Sequence, residues 1–327
     1  MDISYSQINI AVALVVFNRV DCVIANIASI RKAAPPRLYV ISDGPRTDHP
    51  EDNEKVKSVR EYIETHIDWP CELIKIYAKD NMGCDRRSST GYDEVFAREE
   101  MAILIEDDSI AEPTFFSFCE TMLNVYKDDD RVMMVSSCNM IPEYSVDDKD
   151  YFFSAVPMKI AWGTWSRAWK WHENVCSGQF DINNQWLKKV LDGRTYDFYK
   201  GCMLHLKMKH SLCWDAEWDC AMLARGGVGI VPSEHLMTYI GGNRTDSTHT
   251  TGATVFDDLK PCVKKNSIII RDCVVWDEEY DSKMRPFMAK LGKHYVVRAW
   301  ISYLAYLLLP DVHIWITSLI SNKDNNL

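Results

Sequence analysis

The sequence has no Cys-x-x-Cys pair, although 11 cysteines occur in its 327 residues. The odd count and the missing spacing argue against a disulfide framework and against a zinc ribbon. Cys22, Cys71, Cys119 and Cys138 sit in apolar stretches, so reduced, buried thiols of a cytosolic protein are expected. No block of Lys and Arg is long enough to follow a nucleic-acid backbone, and the formal net charge is −10. Both facts argue against a nucleic-acid partner. No stretch reaches the ~20 apolar residues that span a bilayer. The apolar run Ile8–Phe17 has the length of a signal core. Asp2 but no Lys or Arg precedes it, and no small-residue cleavage pattern follows, so it reads as a buried strand. A Gly-x-Gly-x-x-Gly loop and a Walker loop are both missing, which weakens dinucleotide and ATPase readings. Internal repeats and low-complexity segments are absent as well.

What is present is an ordinary globular balance, 47% apolar and 26% charged. The continuous run Ile8–Phe17 fits a parallel strand covered on both faces. Asp21 can cap a helix over 22–34, which the following Pro35-Pro36 ends. Strands are expected at 38–42, 71–78 and 101–108, and helices at 51–67 and 89–100. This β-α-β-α-β-α-β order predicts an open, mostly parallel α/β sheet flanked by helices, with ligands bound at the carboxyl ends of its strands. A helix opening at Pro113, a strand at 131–139, a helical region over about 185–209, and the segment 211–227 leading into a short strand at 228–232 follow. The chain is expected to divide into a catalytic domain, 1–255, and a helical C-terminal extension, 256–327. The nucleotide-binding half covers about 1–110 and the acceptor half about 111–255.

The stretch Ala102–Pro113, AILIEDDSIAEP, sets three carboxylates behind an apolar strand. Adjacent carboxylates repel and lose solvation in a cleft. A helix N-terminus favours acids, but three exceed what a cap needs. A hard divalent cation, Mn²⁺ or Mg²⁺, resolves the repulsion and commonly takes phosphate oxygens as its further ligands. The reaction class suggested is group transfer from a nucleoside diphosphate, with the metal offsetting charge on the departing diphosphate.

ILIEDDSIAEPTFFSFCETM resembles the acidic DXD-type motif and following helix of GT-A glycosyltransferases. It is most similar to the N-acetylglucosaminyltransferase I type and to bacterial family 2-type enzymes. VVFNRVD, YVISDGP, NMGCDRR, AWGTWSRAW, WDAEW, GIVPSEHLMTYIG and DSTHT continue the likeness in order over roughly residues 10–252. The resemblance implies a GT-A, Rossmann-like fold and transfer from a nucleotide sugar. It implies that Asp108 binds the metal while Glu106 and Asp107 face the sugar and ribose. Arg19 and Asp43, with Gly44 beside it, correspond to nucleotide-base contacts. Arg86 or Arg87 would meet phosphate or a base carbonyl, and the residues do not decide between them. His249 would complete the metal shell from a loop that Gly241, Gly242 and Gly252 let close over the donor.

Inverting transfer needs a general base on the acceptor hydroxyl. SLCWDAEWDC offers Asp215, directly after Trp214, and Glu217 as the reserve. Trp162 and Gly163, with Trp214, are expected beside a sugar. The C-terminal segment 282–320 carries five Lys or Arg ahead of an apolar, Trp- and Tyr-bearing stretch. It either lies on an anionic membrane face or packs on protein, including a second subunit of a homodimer. The expectation is therefore an inverting, metal-dependent glycosyltransferase using a UDP-sugar. Its acceptor would be a surface glycan or a lipid-linked saccharide, at the cytoplasmic face of an inner membrane. A nucleotidyltransferase that makes nucleotide sugars and a non-catalytic carbohydrate-binding relative are the rivals.

Overall fold

The computed structural model describes residues 7–144, 150–242, 244, 254, 256, 258–261, 268–288 and 295–308. The chain divides into two compact units, 1–169 with 227–280, and 170–226 with 281–327. This differs from the expected division at 255. The segment 227–280 belongs to the first unit because it supplies strands to that unit's sheets.

The first unit is built on an eight-stranded sheet. β1 (Ala11–Val16), β2 (Arg37–Ser42), β3 (Glu72–Tyr77) and β4 (Met101–Glu106) run parallel in the order β3-β2-β1-β4. β1 lies between β2 and β4, and its near-continuous burial explains its unbroken run of Ala, Val and Leu. The sheet continues through β8 (Ala161–Trp165), β6 (Val132–Ser136), β9 (Val228–Pro232) and β7 (Tyr151–Ser154). β8 is antiparallel to both β4 and β6, and β7 is antiparallel to β9, while β6 and β9 are parallel. The result is the mostly parallel α/β sheet expected of a GT-A, Rossmann-like fold. A two-stranded antiparallel ribbon pairs β5 (Ser109–Ala111) with β10 (Met237–Tyr239).

The helices α1 (Val20–Ala33), α2 (Asp52–His66), α3 (Cys84–Phe96) and α4 (Pro113–Val125) connect the strands. α1 carries Arg31 and Lys32 in its last turn and closes through the Ala34 N–H on the Ile30 carbonyl. Asp21 does not cap it. The helix starts at Val20, so Asp21 lies inside the first turn and instead accepts from Arg244 at 2.7 and 3.2 Å. α4 opens on Pro113 at its first position, as expected.

The aromatic stretch after residue 150 forms β7 and β8, and its rings are core. Trp162 is 0% exposed and sits edge-on to Tyr92. Its neighbour Gly163 pairs with Ile103 and Val135, and a Cβ there would overlap Cys119 Sγ of α4. The expectation that Trp162 and Gly163 contact a sugar is corrected on this ground. The tryptophan fills the layer under the sheet, and the glycine lets α4 pack close.

In the second unit, α6 (Asn184–Val190), α7 (Gly193–Lys207) and α8 (Trp214–Arg225) follow α5 (Ser166–Cys176), whose C-terminal part belongs here. Asn183 caps α6 by accepting from Trp186 N at 3.0 Å, and Asp192 and Thr195 form a capping box on α7. α8 ends on Gly226 at φ +71°, a left-handed position that suits glycine. α9 (Glu278–Met288) leads on, and α10 (Tyr295–Leu308) packs on α7. No helix among the described residues is long and apolar enough to cross a membrane.

Candidate donor and metal site

Strand order β2-β1-β4 places a switch point between β1 and β4, since the chain leaves β1 toward β2 and later returns to β1's other side. At that point Arg19 follows β1 and the acids follow β4. Asp107 and Asp108 do not begin a helix. They form the tight turn between β4 and β5, and β5 runs away antiparallel to β10.

The positive partner of the acids is internal. Arg19 grips Asp107 with Nη2 on Oδ1 and with Nε on Oδ2 at 3.3 Å. Its Nη2 reaches Asp108 Oδ2 at a longer 3.3 Å. Burial lifts the Asp107 carboxyl to about 6, against the pull of Arg19, while Asp108 adds a further push upward. Burial opposes the Arg19 charge, but the two aspartates outweigh it and hold the guanidinium above its ordinary range. The guanidinium spends its paired geometry on Asp107, so Asp108 keeps an unbalanced share of charge. The expected base contact of Arg19 is thereby revised, because both engaged nitrogens face the acids.

α1 braces this turn. Asn26, fully buried, donates to the Asp107 carbonyl at 2.8 Å, and Ser29 Oγ donates to the Ala111 carbonyl. Neither residue was singled out from sequence. Their signal was present only as polar residues on the buried face of an amphipathic helix.

On the other side of Asp108, Ile240 N donates to its backbone carbonyl at 2.8 Å. Gly241 follows. A Cβ there would overlap Tyr239 Oη and come 2.9 Å from Asp108 Oδ2. The glycine therefore admits the Tyr239 hydroxyl and sets no side chain against that carboxylate. Arg244 then pins the same segment to Asp21 of α1. His249, the expected second metal ligand, lies farther along this segment and outside the described residues.

Asp43, the other strand-end acid, has a different role from the one expected. Its Oδ1 accepts from Gly44 N and Met82 N at 2.8 Å, and its Oδ2 from Gly83 N and Asn81 Nδ2 at 3.0 Å. Four donors fill the lone pairs of two oxygens, so no capacity remains for a base N–H. Asp43 instead fastens the loop 81–83. Gly44 is explained by the same loop: a Cβ would stand 2.6 Å from the carbonyl oxygens of Lys79 and Asp80. Its assignment to the donor is corrected accordingly. Asp52, unremarked in the sequence, is fully buried and accepts from Asn18 at 2.7 Å and from Arg46 Nε at 2.6 Å. It thus ties the connection after β1 to that after β2, and Arg46 holds its carboxyl down at about 2.

The structure separates the two candidate arginines at the start of α3. Arg86 is exposed. Arg87 is 5% exposed, with Glu94 at 3.6 Å and Met82 Sδ at 3.6 Å from its guanidinium. Its Nε and Nη2 make no hydrogen bond. A buried cation so thinly bonded is suited to an oxygen-rich anion. Glu106 ends β4 and is half-buried.

In the second unit, Asp215 lies exposed in the first turn of α8, with Oδ1 accepting from Ala216 N at 2.9 Å. Glu217 is 6% exposed and accepts from Leu212 N at 2.8 Å, with His172 Nε2 at 3.1 Å. That burial and those partners remove Glu217 as a reserve base. Trp214 is 5% exposed, too enclosed to be the sugar platform expected of it.

No family model matches the chain, and no curated protein matches it. Solved structures overlap it. A mannosyltransferase from Pyrobaculum calidifontis, in complex with GDP-Man and Mn²⁺, aligns over 67% of this chain and 73% of its own, at 14% identity and TM-score 0.34. TarS 1–349 from S. aureus aligns over 67% and 71%, at 10% identity and TM-score 0.36. Overlaps this loose carry no functional argument, so the reading below stands on side chains.

Proposed function

We propose that the chain is a divalent-metal-dependent, inverting glycosyltransferase that takes a hexosyl or N-acetylhexosaminyl unit from a UDP-sugar. The observation that carries the reading is the Asp108 corner. It combines an oxygen donor at the switch point, a guanidinium committed mainly to Asp107, and a glycine that sets no side chain against the Asp108 carboxylate. Such a donor suits Mn²⁺ or Mg²⁺, which take one or two carboxylates and complete their shells with phosphate oxygens. In the proposal Asp108 and His249 hold the metal, which when bound stabilises charge on the departing diphosphate. Arg19 fixes Asp107 so that the turn keeps its shape, and Glu106 and Asp107 face the sugar and ribose. Arg87 takes a diphosphate oxygen, and exposed Arg86 plays no more than a steering part. Asp215 is the general base that receives the acceptor's proton.

The nucleotidyltransferase reading fits less well. That chemistry normally uses a Gly-rich basic loop after the first strand, whereas here Phe17, Asn18 and Arg19 make a short connection bonded to Asp52 and Asp107. The acceptor we propose is a lipid-linked or surface saccharide, as in polysaccharide biosynthesis. α10 supports this: Val297, Trp300, Ile301, Leu304 and Leu307 are exposed at helical spacing. Residues 282–310 carry five Lys or Arg and no Asp or Glu, in a chain of net charge −10. A helix with an apolar face that follows four of these basic residues and carries the fifth, Arg298, fits an anionic membrane surface.

Release of UDP from a panel of UDP-sugars, with and without Mn²⁺, tests the reading. Metal-dependent release supports it, and donor binding without release supports a non-catalytic carbohydrate-binding protein. Asp215→Asn should keep donor binding and lower transfer by about 10²-fold or more.

A further inference from the structure

We infer that the second unit holds a zinc-type metal site of its own, made by His172, Cys176 and Glu217. His172 and Cys176 lie one turn apart on α5, and Glu217 lies in the first turn of α8. His172 Nε2 is 3.1 Å from Glu217 Oε2, and Cys176 Sγ is 3.7 Å from the same nitrogen. One ligand atom from each residue lies within 4.8 Å of the other two. Donors on a single tetrahedral zinc stand roughly 3.4–3.6 Å apart, given bonds of about 2.0–2.3 Å. Two of the three separations are already within a few tenths of an ångström of that. His172 and Glu217 are 5% and 6% exposed, while Cys176 is half-buried and gives a path of entry.

A hydrogen-bonded His–Glu pair would account for two of these groups but not for a thiol gathered at the same point. The mixed nitrogen, sulfur and oxygen set selects a softer cation than the all-oxygen Asp108 corner does. The Leu212 N–H on Glu217 Oε1 is the kind of outer contact that orients a ligating carboxylate. Three protein ligands leave the fourth position to water. Binding displaces the thiol proton to solvent and leaves a thiolate–zinc bond. The metal clamps α5 to the turn of α8 that carries Asp215. The expectation against zinc was drawn from the missing Cys-x-x-Cys spacing. A helical His-x-x-x-Cys joined to a distant Glu escapes that test. This inference does not depend on the proposed activity.

The test is titration of the metal-free full-length chain with Co²⁺. Wild type and Asp108→Ala should both give a thiolate-to-cobalt charge-transfer band in the near ultraviolet, which added Zn²⁺ removes. Cys176→Ser should lose the band. Bound zinc, measured by atomic spectrometry after removal of free metal, should fall to background in Cys176→Ser and His172→Gln. A wild-type chain with no thiolate band overturns the site without recourse to any variant. Full zinc retention by Cys176→Ser overturns it too. UDP release by the wild-type chain with Mn²⁺ is read separately: no release from any UDP-sugar, with the cobalt band intact, defeats the glycosyltransferase reading and leaves this site standing.

Discussion

Asp43 and Asp108 occupy matching places, each just past the carboxyl end of a parallel strand, yet the fold treats them differently. Asp43 is enclosed by four donors from its own turn and from the loop 81–83. Asp108 has a 3.3 Å contact from Arg19, another from Ser109, and a glycine that sets no side chain against it. A saturated carboxylate is an anchor, and one with unfilled lone pairs and residual charge is a ligand. Residue type and strand-end position are the same in both, so the number of donors already in place decides the role.

That contrast can be broken by experiment. The largest effect expected is for Asp108→Ala, which should abolish Mn²⁺-dependent UDP binding in a chain that still unfolds cooperatively in urea. Unchanged binding in isothermal titration would defeat the metal assignment. Asp43→Asn should do the reverse. It leaves backbone donors facing an amide and costs about 1–3 kcal/mol in urea unfolding, with saturable UDP binding kept wherever the protein is folded. Gly241→Ala should weaken Mn²⁺ affinity with only a small change in midpoint, because its Cβ pushes the end of the Tyr239 side chain and crowds Asp108 Oδ2. Gly44→Ala should shift the midpoint and spare the affinity, because its Cβ meets backbone. Equal behaviour of the two alanine variants would erase the distinction.

The smallest effect concerns acid stability. Asp52 titrates near 2 in the folded chain against an ordinary 3.8, so the unfolded state binds the proton more readily. Its contribution is complete above about pH 4 and is lost as pH falls toward 2. Asp52→Asn should therefore flatten the fall in stability between pH 4 and pH 2, measured by urea melts at each pH. A parallel fall in both proteins would remove Asp52 from the account.

Much of the nucleotide-side architecture was legible because long apolar runs and amphipathic periods declare themselves. β1 to β4 and α1 to α4 fall where the patterns put them, apart from offsets at the ends. The short strands β5, β7, β8 and β10 were not legible. Three to five residues carry too little period, and the aromatic density of 151–169 reads equally as a binding surface or a core. Burial settled it for Trp162. The same limit applied to Glu217, whose withdrawal onto His172 and Leu212 cannot be read from a run of acids.

By itself the chain's sequence determined the parallel α/β order, the acids behind β4 and the arginine behind β1, since these depend on local period and covalent neighbourhood. The tertiary structure alone decided which carboxylates are spent and which are available. Hydrogen-bond saturation depends on donors such as Gly83, Asn81 and Arg19, brought from distant segments by the packing of helices on the sheet.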